Sequence, residues 1–399
     1  MLSIWITIVA GLGVLSVEFG YYQAIYGEKL NFPLEAYFFS FVAFLITMWP
    51  FTLLNMKKVE YVGLSPALES MVYKTMKICL FLFSINLVIY FNAAIYSLQF
   101  EPSEVYASQH FDGEMLYKFG PIERFCTFYI SLIYNVLAPL FLIYSLIILT
   151  RKGTNKKKLC YFFMLLMCLT ALFQSIMTGA RGGIFVFVLL ILIVSIPFWK
   201  NFDSKVKSTI KTFGYVFAIF VIFYVMAMTV SRFEGGAKET PFEGLMRYFG
   251  EPFPNVGHML WDKVEMNPFG LRLYPYFFQA NNIASSASSI SEEFYDWESI
   301  IGVPLYIFKT EFGDFYIEFG KYLSLFIMFL YSLFFRIFIR KGRIEIAAIP
   351  IFYYFLDIAA SSPMDFAKRY YFHIIVLVLC VISYFVIRLL SNNRYVIKV

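Results

Sequence analysis

Long apolar stretches recur along this chain, and they constrain its fold more than any other feature. The chain has 399 residues, of which 60% are hydrophobic and 15% are charged, and its mean hydropathy is +0.69. A stretch of about 20 apolar residues is long enough to cross the hydrocarbon core of a bilayer as a helix. The sequence shows no series of short alternating segments of the kind that builds a membrane β-barrel. It therefore predicts an all-α polytopic membrane protein.

Ten transmembrane helices are predicted from these stretches. Their approximate bounds are 2–25, 34–55, 72–98, 125–149, 159–178, 184–199, 211–230, 315–336, 344–360 and 371–388. The first stretch is too long for a cleaved signal peptide and lacks a basic start, so we expect it to be the first helix. The prediction divides the chain into helices one to seven (1–230), a large loop (231–311) and helices eight to ten (312–399).

Lys and Arg residues mark one face of the predicted bundle. The chain has 33 of them and a formal net charge of +6. Most lie in five short connections, near 57–77, 151–158, 200–211, 336–343 and 388–398. Basic connections stay on the cytoplasmic side, which places both termini there and the large loop on the opposite, outer face. Because the basic residues form no stripe or groove, nucleic acid is not an expected partner.

The large loop (231–311) is the main candidate for function. It has about 80 residues, and loops of that length are uncommon in compact proteins unless they serve a function. Aromatic residues persist through it, which favours short helices lying in the membrane interface. The loop contains six Lys and Arg residues against eleven Asp and Glu residues. An anion-binding site within it is therefore expected to be local.

A cationic turn, Thr178–Gly183 (TGARGG), joins two predicted helices with almost no loop. A guanidinium fixed at a membrane surface is costly unless an anionic group uses it. Arg181 is therefore the first candidate to bind phosphate, which guanidinium groups hold through planar, forked donors. The further candidates on the same predicted face are Arg232, Arg247 and Arg272.

Ordinary ion pairing is the alternative role for the loop arginines. Glu243, Arg247 and Glu251 follow one another at helical spacing, and such surface pairs contribute only about 0.3–0.5 kcal/mol each. Ion pairing is a weaker alternative for Arg181, since its turn offers no loop in which the side chain could be solvated.

An acidic segment, EFGDFYIEFG at 311–320, leads into the eighth predicted helix. Glu311, Asp314 and Glu318 lie three and four residues apart, so they share one face if the helix begins this early. Glu318 would then enter the membrane facing protein or water. The alternative is that the first two carboxylates simply favour a helix N-terminus.

Cysteine and histidine are sparse, with five Cys and three His residues. No pair has metal-binding or redox spacing. We expect the cysteines to be small buried side chains, and we expect neither a metal nor a cofactor.

Three segments together resemble a known family. TGARGG after a membrane helix, RYFGEPF at 247–253 and EFGDFYIEFG at 311–320 resemble, in this order and topology, Wzy-type oligosaccharide repeat-unit polymerases, also called O-antigen polymerases. The resemblance covers roughly residues 160–340. It implies a GT-C-like helical fold that needs no metal. It also implies a bacterial inner-membrane enzyme with a periplasmic active site.

The resemblance further implies a reaction and its partners. Such enzymes transfer a growing glycan from undecaprenyl diphosphate to the non-reducing end of a new lipid-linked repeat unit, for O-antigen, capsule or exopolysaccharide. Lipid-linked oligosaccharides and the bilayer would be its partners, together with a chain-length regulator. By resemblance, Arg181 and Arg232 hold diphosphate, with Arg247 beside them.

A general base is expected as well, because the attacking sugar hydroxyl ionises only far above neutral pH. Glu251 is the first choice, since it lies one helical turn beyond Arg247. His258 is the second, because histidine is a common proton shuttle near neutral pH. Asp314 is the third.

Three alternatives compete with a polymerase. An O-antigen ligase would share the topology and the donor but use another acceptor. A metal-dependent membrane glycosyltransferase usually has an acidic pair in its first outer loop, whereas the first aspartate of this chain is Asp112. A polysaccharide or lipid transporter (flippase) should show an internal repeat, broken helices or charges at mid-membrane. Glu18 and Glu318 offer that reading only thin support.

Overall fold

A computed structural model of the chain describes residues 2–18, 33–54, 61–62, 66–110, 116–180, 182–233, 240–273, 290–305, 307–364, 371–390 and 396–398. These residues are mainly helical. The helices before the large loop are α1 (Leu2–Glu18), α2 (Leu34–Met48), α3 (Pro66–Ser97), α4 (Pro102–His110), α5 (Pro121–Thr150), α6 (Lys157–Thr178), α7 (Gly182–Ser195) and α8 (Ser204–Phe233). Those that follow are α9 (Pro241–Gly250), α10 (Pro252–Asn255), α11 (Ile290–Ile301), α12 (Thr310–Ile337), α13 (Ile349–Ser361) and α14 (Tyr371–Leu390).

Short turns of other helix types extend several of these elements. Turns of 3₁₀ helix follow α2 (Trp49–Leu53) and α7 (Ile196–Asn201), and another precedes α13 (Ile346–Ala348). A π-helical turn (Val256–Leu260) follows α10.

Eight helical segments within the described residues are long and apolar enough to cross a membrane. They are α3, α5, α6, α8, α12 and α14, together with α2 and α7, which reach the required length with their 3₁₀ turns. The other two predicted spans correspond to the shorter apolar helices of α1 and α13. The prediction of a helical fold with several helices able to cross a membrane is therefore confirmed, whereas the count of ten crossings stays a prediction.

A small β-sheet departs from the predicted all-α fold. Its strands are β1 (Tyr61–Val62), β2 (Ile339–Arg340), β3 (Arg343–Glu345) and β4 (Val396–Lys398). They pair antiparallel in the order β1-β4-β3-β2. Part of the stretch predicted as the ninth helix, which was expected to begin at 344, is thus strand β3 followed by a 3₁₀ turn. Strands of two or three residues carry too little alternation to be seen in a sequence.

The sheet joins three connections that were predicted to lie on one face of the membrane. Ion pairs join other basic connections at the same end. Glu69 at the start of α3 pairs with Arg151 at 2.6 Å and with Lys156 at 2.5 Å. Asp203 caps α8 and lies 3.3 Å from Lys157. The hydrogen bond from the Val206 N–H, joined by Lys157, holds the pKa of Asp203 below its usual range. These contacts bring the basic connections together at one end of the bundle. We call it the inner end after the predicted orientation, which stays a prediction.

Part of the large loop packs against the helices of the bundle. Val256, Leu260 and Trp261 belong to the main hydrophobic core. The Trp261 ring stacks on Tyr316 of α12, with centroids 5.0 Å apart and planes at 15°. The segment is therefore anchored to α12 through its aromatic ring, and its place in the membrane interface stays a prediction.

Helix α12 is broken at Gly320, whose φ of 71° and ψ of −173° leave the helical region. A side chain of the large loop hydrogen-bonds the backbone next to this break. Asn267 Nδ2 donates to the carbonyl oxygens of Ile317 at 2.7 Å and of Tyr316 at 3.3 Å. Backbone groups that a break frees inside a membrane need such partners. The segment before the break, from Thr310 to Glu318, is buried throughout.

Candidate functional site

A cavity of about 640 Å³ lies among α5, α6, α7, α13 and α14. Its volume falls within the range of about 300–1,000 Å³ that is usual for ligand sites. The turn TGARGG borders it, since Thr178, Ala180, Gly182 and Gly183 all line the cavity. Arg181 itself lies outside the described residues. Its predicted role is thus untested, but the residues on both of its sides belong to this cavity.

The turn is held by contacts from two other helices. Gly179 ends α6 with a φ of 59°, a left-handed conformation that glycine adopts without strain. A Cβ added to it would lie 2.8 Å from the backbone nitrogen of Tyr106, so α4 covers the turn closely. The hydroxyl of Tyr224 on α8 donates to the carbonyl oxygen of Ser175. The turn is therefore a packed element and not a free loop.

Helix α9, which carries Arg247, packs next to this turn. A Cβ added to Gly182 would lie 3.6 Å from the hydroxyl of Tyr248, and Tyr248 also lines the cavity. Helix α9 in turn contacts α8, which carries Arg232. The side chains of Arg232 and Arg247 lie outside the described residues. Their helices nevertheless come together around one part of the cavity.

An aromatic wall closes one side of the cavity. It consists of Trp5 of α1, Phe185 of α7 and Phe249 of α9. The ring centroid of Phe185 lies 4.7 Å from that of Trp5 and 5.3 Å from that of Phe249, and the Trp5 and Phe249 centroids are 6.0 Å apart. The Trp5 indole N–H donates to the Ala360 carbonyl oxygen at 2.9 Å and so ties α1 to α13. Most of the remaining lining is apolar too, with a small number of polar groups. This composition suits an amphiphilic ligand.

Polar side chains line the cavity from four helices. They include Asn135, Gln174, Thr178, Asp357 and His373. Asp357 was not predicted as a site residue, and neither was His373. A carboxylate within the apolar helix α13 is itself a signal for a functional group in a membrane, but the sequence did not show which way that face turns. Asp365 and Arg369, which follow this helix in the sequence, lie outside the described residues.

A smaller polar pocket of about 60 Å³ shares Tyr134, Asn135 and Gln174 with the cavity. Asn86 Nδ2 donates to Ser131 Oγ at 3.1 Å, and Ser131 Oγ lies 2.9 Å from the hydroxyl of Tyr90. Asn86 Oδ1 is buried and has no hydrogen-bond partner among the described residues. The pocket has room and polar partners for water, which requires only about 10–15 Å³.

Arg272 lies elsewhere, in a buried ion cluster. Its Nη2 is 3.1 Å from Asp314 Oδ1, and its Nε is 2.8 Å from Glu318 Oε1. The Gly270 N–H donates to Glu318 Oε2 at 2.7 Å, and Lys309 Nζ lies 3.7 Å from Asp314 Oδ1. Among the described lining residues of the cavity, Arg272 does not appear. The Arg272 guanidinium, predicted to bind a diphosphate, is thus paired with two carboxylates of the protein.

The three predicted general bases are buried outside the cavity lining. Glu251 and His258 are 5% and 6% exposed, and Asp314 is 1% exposed and paired with Arg272. None of them is among the described residues that line the cavity. Glu311, beside Asp314, accepts a hydrogen bond from Thr47 at 3.1 Å. The acidic segment is therefore buried in protein, as expected for Glu318, and none of its residues is among the described lining of the cavity.

Within the described residues, no three His, Cys, Asp or Glu side chains are grouped closely enough to hold a metal ion. The five cysteines are all free thiols, four of them buried.

Comparison with known proteins does not place the chain in a family. No family model, no curated protein and no solved structure matches it.

Proposed function

We propose that this protein is a glycosyltransferase that polymerises lipid-linked oligosaccharide repeat units at the periplasmic face of the bacterial inner membrane. It transfers the growing glycan from undecaprenyl diphosphate to the non-reducing end of a new repeat unit. The observation that carries this proposal is the cavity of about 640 Å³ that the residues flanking Arg181 border on both sides.

The lining suits the chemistry of such a substrate. An apolar wall with few polar groups accommodates a molecule that is part lipid and part sugar. Diphosphate leaves readily once fixed cations neutralise the charge that develops on it. Arg181, Arg232 and Arg247 come from the turn, α8 and α9, which pack around one part of the cavity. We assign these three to the donor and acceptor diphosphates, and Arg272 to the ion cluster.

Reconstitution tests the activity directly. The purified protein in lipid nanodiscs is incubated with a lipid-linked repeat unit, and products are resolved by chain length. We expect a ladder of products and release of undecaprenyl diphosphate. A ligase yields no ladder here, because the mixture contains no other acceptor. Release of the carrier without elongation would contradict the polymerase.

Arg181→Ala tests the site. We expect loss of the ladder, because the leaving group then lacks its fixed cation. Arg124→Ala is the matched control, since Arg124 begins α5 with its Nε donating to the Phe119 carbonyl oxygen at 3.0 Å, outside the described cavity lining. Glycan products of normal length from the Arg181→Ala variant would show that this residue does not bind the diphosphate.

A transporter is the second candidate, and one observation favours it. Helix α12 is broken at Gly320 next to buried Arg272 and Glu318, and broken helices with buried charges are typical of transporters. Proteoliposomes with a fluorescent lipid-linked sugar separate the two functions. Movement of the lipid between leaflets without elongation would favour transport.

A further inference from the structure

Asp357 and His373 are the acidic and imidazole side chains among the described residues that line the cavity. Asp357 belongs to α13 and His373 to α14, and these two helices pack against each other. Neither residue has been given a role above. Their position within the cavity bordered by the turn of Arg181 raises the question of which reaction step they serve.

The face of α13 that lines the cavity is well defined. Tyr353, Tyr354, Asp357 and Ser361 line it at helical spacing, so Asp357 lies in the middle of that face. Ser361 is turned to its own helix, where its hydroxyl donates to the Asp357 carbonyl oxygen at 3.0 Å. The hydroxyl of Tyr354 donates to the His373 carbonyl oxygen at 3.1 Å and links the two helices. Asp357 and His373 are each half-buried.

A carboxylate in an apolar membrane helix is costly and marks a functional site by default. Helix α13 is otherwise apolar, with the sequence IPIFYYFLDIAAS. A polar lining group that only positions a sugar does not require a charge, since an amide or a hydroxyl forms the same hydrogen bonds. A carboxylate adds the ability to accept a proton.

We propose that Asp357 is the general base of glycosyl transfer, an inference that rests on the proposed function. The acceptor hydroxyl oxygen forms a bond to the anomeric carbon of the donor sugar. The bond from that carbon to the diphosphate oxygen breaks, and its electron pair leaves with undecaprenyl diphosphate. The hydroxyl proton passes to the Asp357 carboxylate and from there to solvent. His373, across the cavity lining on α14, hydrogen-bonds the same acceptor sugar.

This assignment replaces the bases predicted from the sequence. Glu251 and His258 are buried apart from the described lining, and Asp314 is held by Arg272 at 3.1 Å. Asp357 lines the same cavity as the residues beside Arg181, so the base and the cation that stabilises the leaving group serve one site.

The test is a comparison of Asp357→Asn, Asp357→Glu and wild type in nanodiscs with a lipid-linked repeat unit. Two quantities are measured: the single-turnover rate of transfer and the binding of undecaprenyl diphosphate. In Asp357→Asn we expect the transfer rate to fall about 100- to 10,000-fold, the usual contribution of a general base. Binding of undecaprenyl diphosphate is expected to stay within about threefold of wild type, because the carbonyl and amide keep the shape of the side chain.

Asp296→Asn is the matched control. Asp296 is an exposed aspartate on α11, so the same chemical change there should leave the rate unaltered. Asp357→Glu should recover part of the lost rate, since it restores a carboxylate. That recovery would not follow from a purely structural role.

The outcomes separate the two proposals. Transfer by Asp357→Asn at the wild-type rate overturns the assignment of the base and leaves the polymerase standing. Loss of carrier binding together with the rate also overturns it, since Asp357 would then hold the donor. Failure of wild-type protein to transfer any sugar overturns the polymerase and the base with it.

Discussion

Arg272 and Glu318 form an ion pair that is closed to solvent, with Nε and Oε1 2.8 Å apart and side chains 2% and 0% exposed. Asp314 contacts the same guanidinium at 3.1 Å. Through these two contacts, Arg272 joins the part of the large loop before α11 to the buried start of α12. The pair therefore fixes how the large loop enters the bundle.

Arg272→Met should destabilise the protein strongly. The substitution removes the guanidinium that contacts two buried carboxylates, and breaking a buried pair on one side costs about 3–5 kcal/mol. The double variant Arg272→Met, Glu318→Gln should recover much of that loss, because one of the orphaned charges is removed with it. Thermal unfolding in detergent measures both. A single variant as stable as wild type would show that the cluster contributes no net stability.

Gly250→Ala should separate α9 from α1. A Cβ at this position would lie 2.5 Å from the Leu12 carbonyl oxygen, and one at Gly13 would lie 2.7 Å from the Gly250 carbonyl oxygen. Backbone cannot yield as a flexible side chain can, so the helices must move apart. We expect lower thermal stability and weaker glycan elongation, since α9 carries Arg247. Gly11→Ala on α1 is the control, because nothing lies within 4 Å of its added Cβ.

Gly320→Ala should strain the break in α12. A residue with a Cβ pays about 1–3 kcal/mol in this region of backbone conformation. The melting temperature should fall, while Gly214→Ala, in an open part of α8, should leave it unchanged or raise it. Asn267→Leu should act in the same direction as Gly320→Ala, since it removes the donor to Ile317. Equal stability of all three variants would contradict the role of the break.

Gly183→Leu should block the cavity without unfolding the protein. Gly183 lines the cavity, and no atom lies within 4 Å of a Cβ added there. A branched side chain at this point occupies space that the substrate needs. Elongation should cease while the melting temperature stays near the wild-type value, and Gly214→Leu provides the control. Undiminished elongation would show that the substrate does not use this part of the cavity.

Hydropathy alone predicted the helical architecture well, because crossing a bilayer demands long apolar helices whatever their neighbours are. Each predicted stretch contains a described helix. The buried Glu318 also follows from local sequence, since its spacing from Glu311 and Asp314 places it on one face of a helix. The small sheet was missed, because its pairing depends on segments such as Tyr61 and Lys398 that are remote along the chain.

The candidate site was harder to predict, for a physical reason. The function of a carboxylate on an apolar helix depends on what the side chain faces. Asp357 lines a cavity to which helices distant along the chain contribute, and the sequence does not show that arrangement. Arg272 was a phosphate candidate with ion pairing as the alternative, and the structure pairs it with Asp314 and Glu318 of α12. The residues on both sides of Arg181 line the cavity, whereas the phosphate-binding role of Arg181 stays a prediction.

The sheet at the inner end also sets an order of events during synthesis. Strand β1 precedes α3, whereas β4, which lies between β1 and β3, follows α14. Both β1 and β3 are therefore synthesised before β4, and until then the edge of each that pairs with β4 has no strand beside it. The four-stranded sheet can therefore form only after α14 has been synthesised.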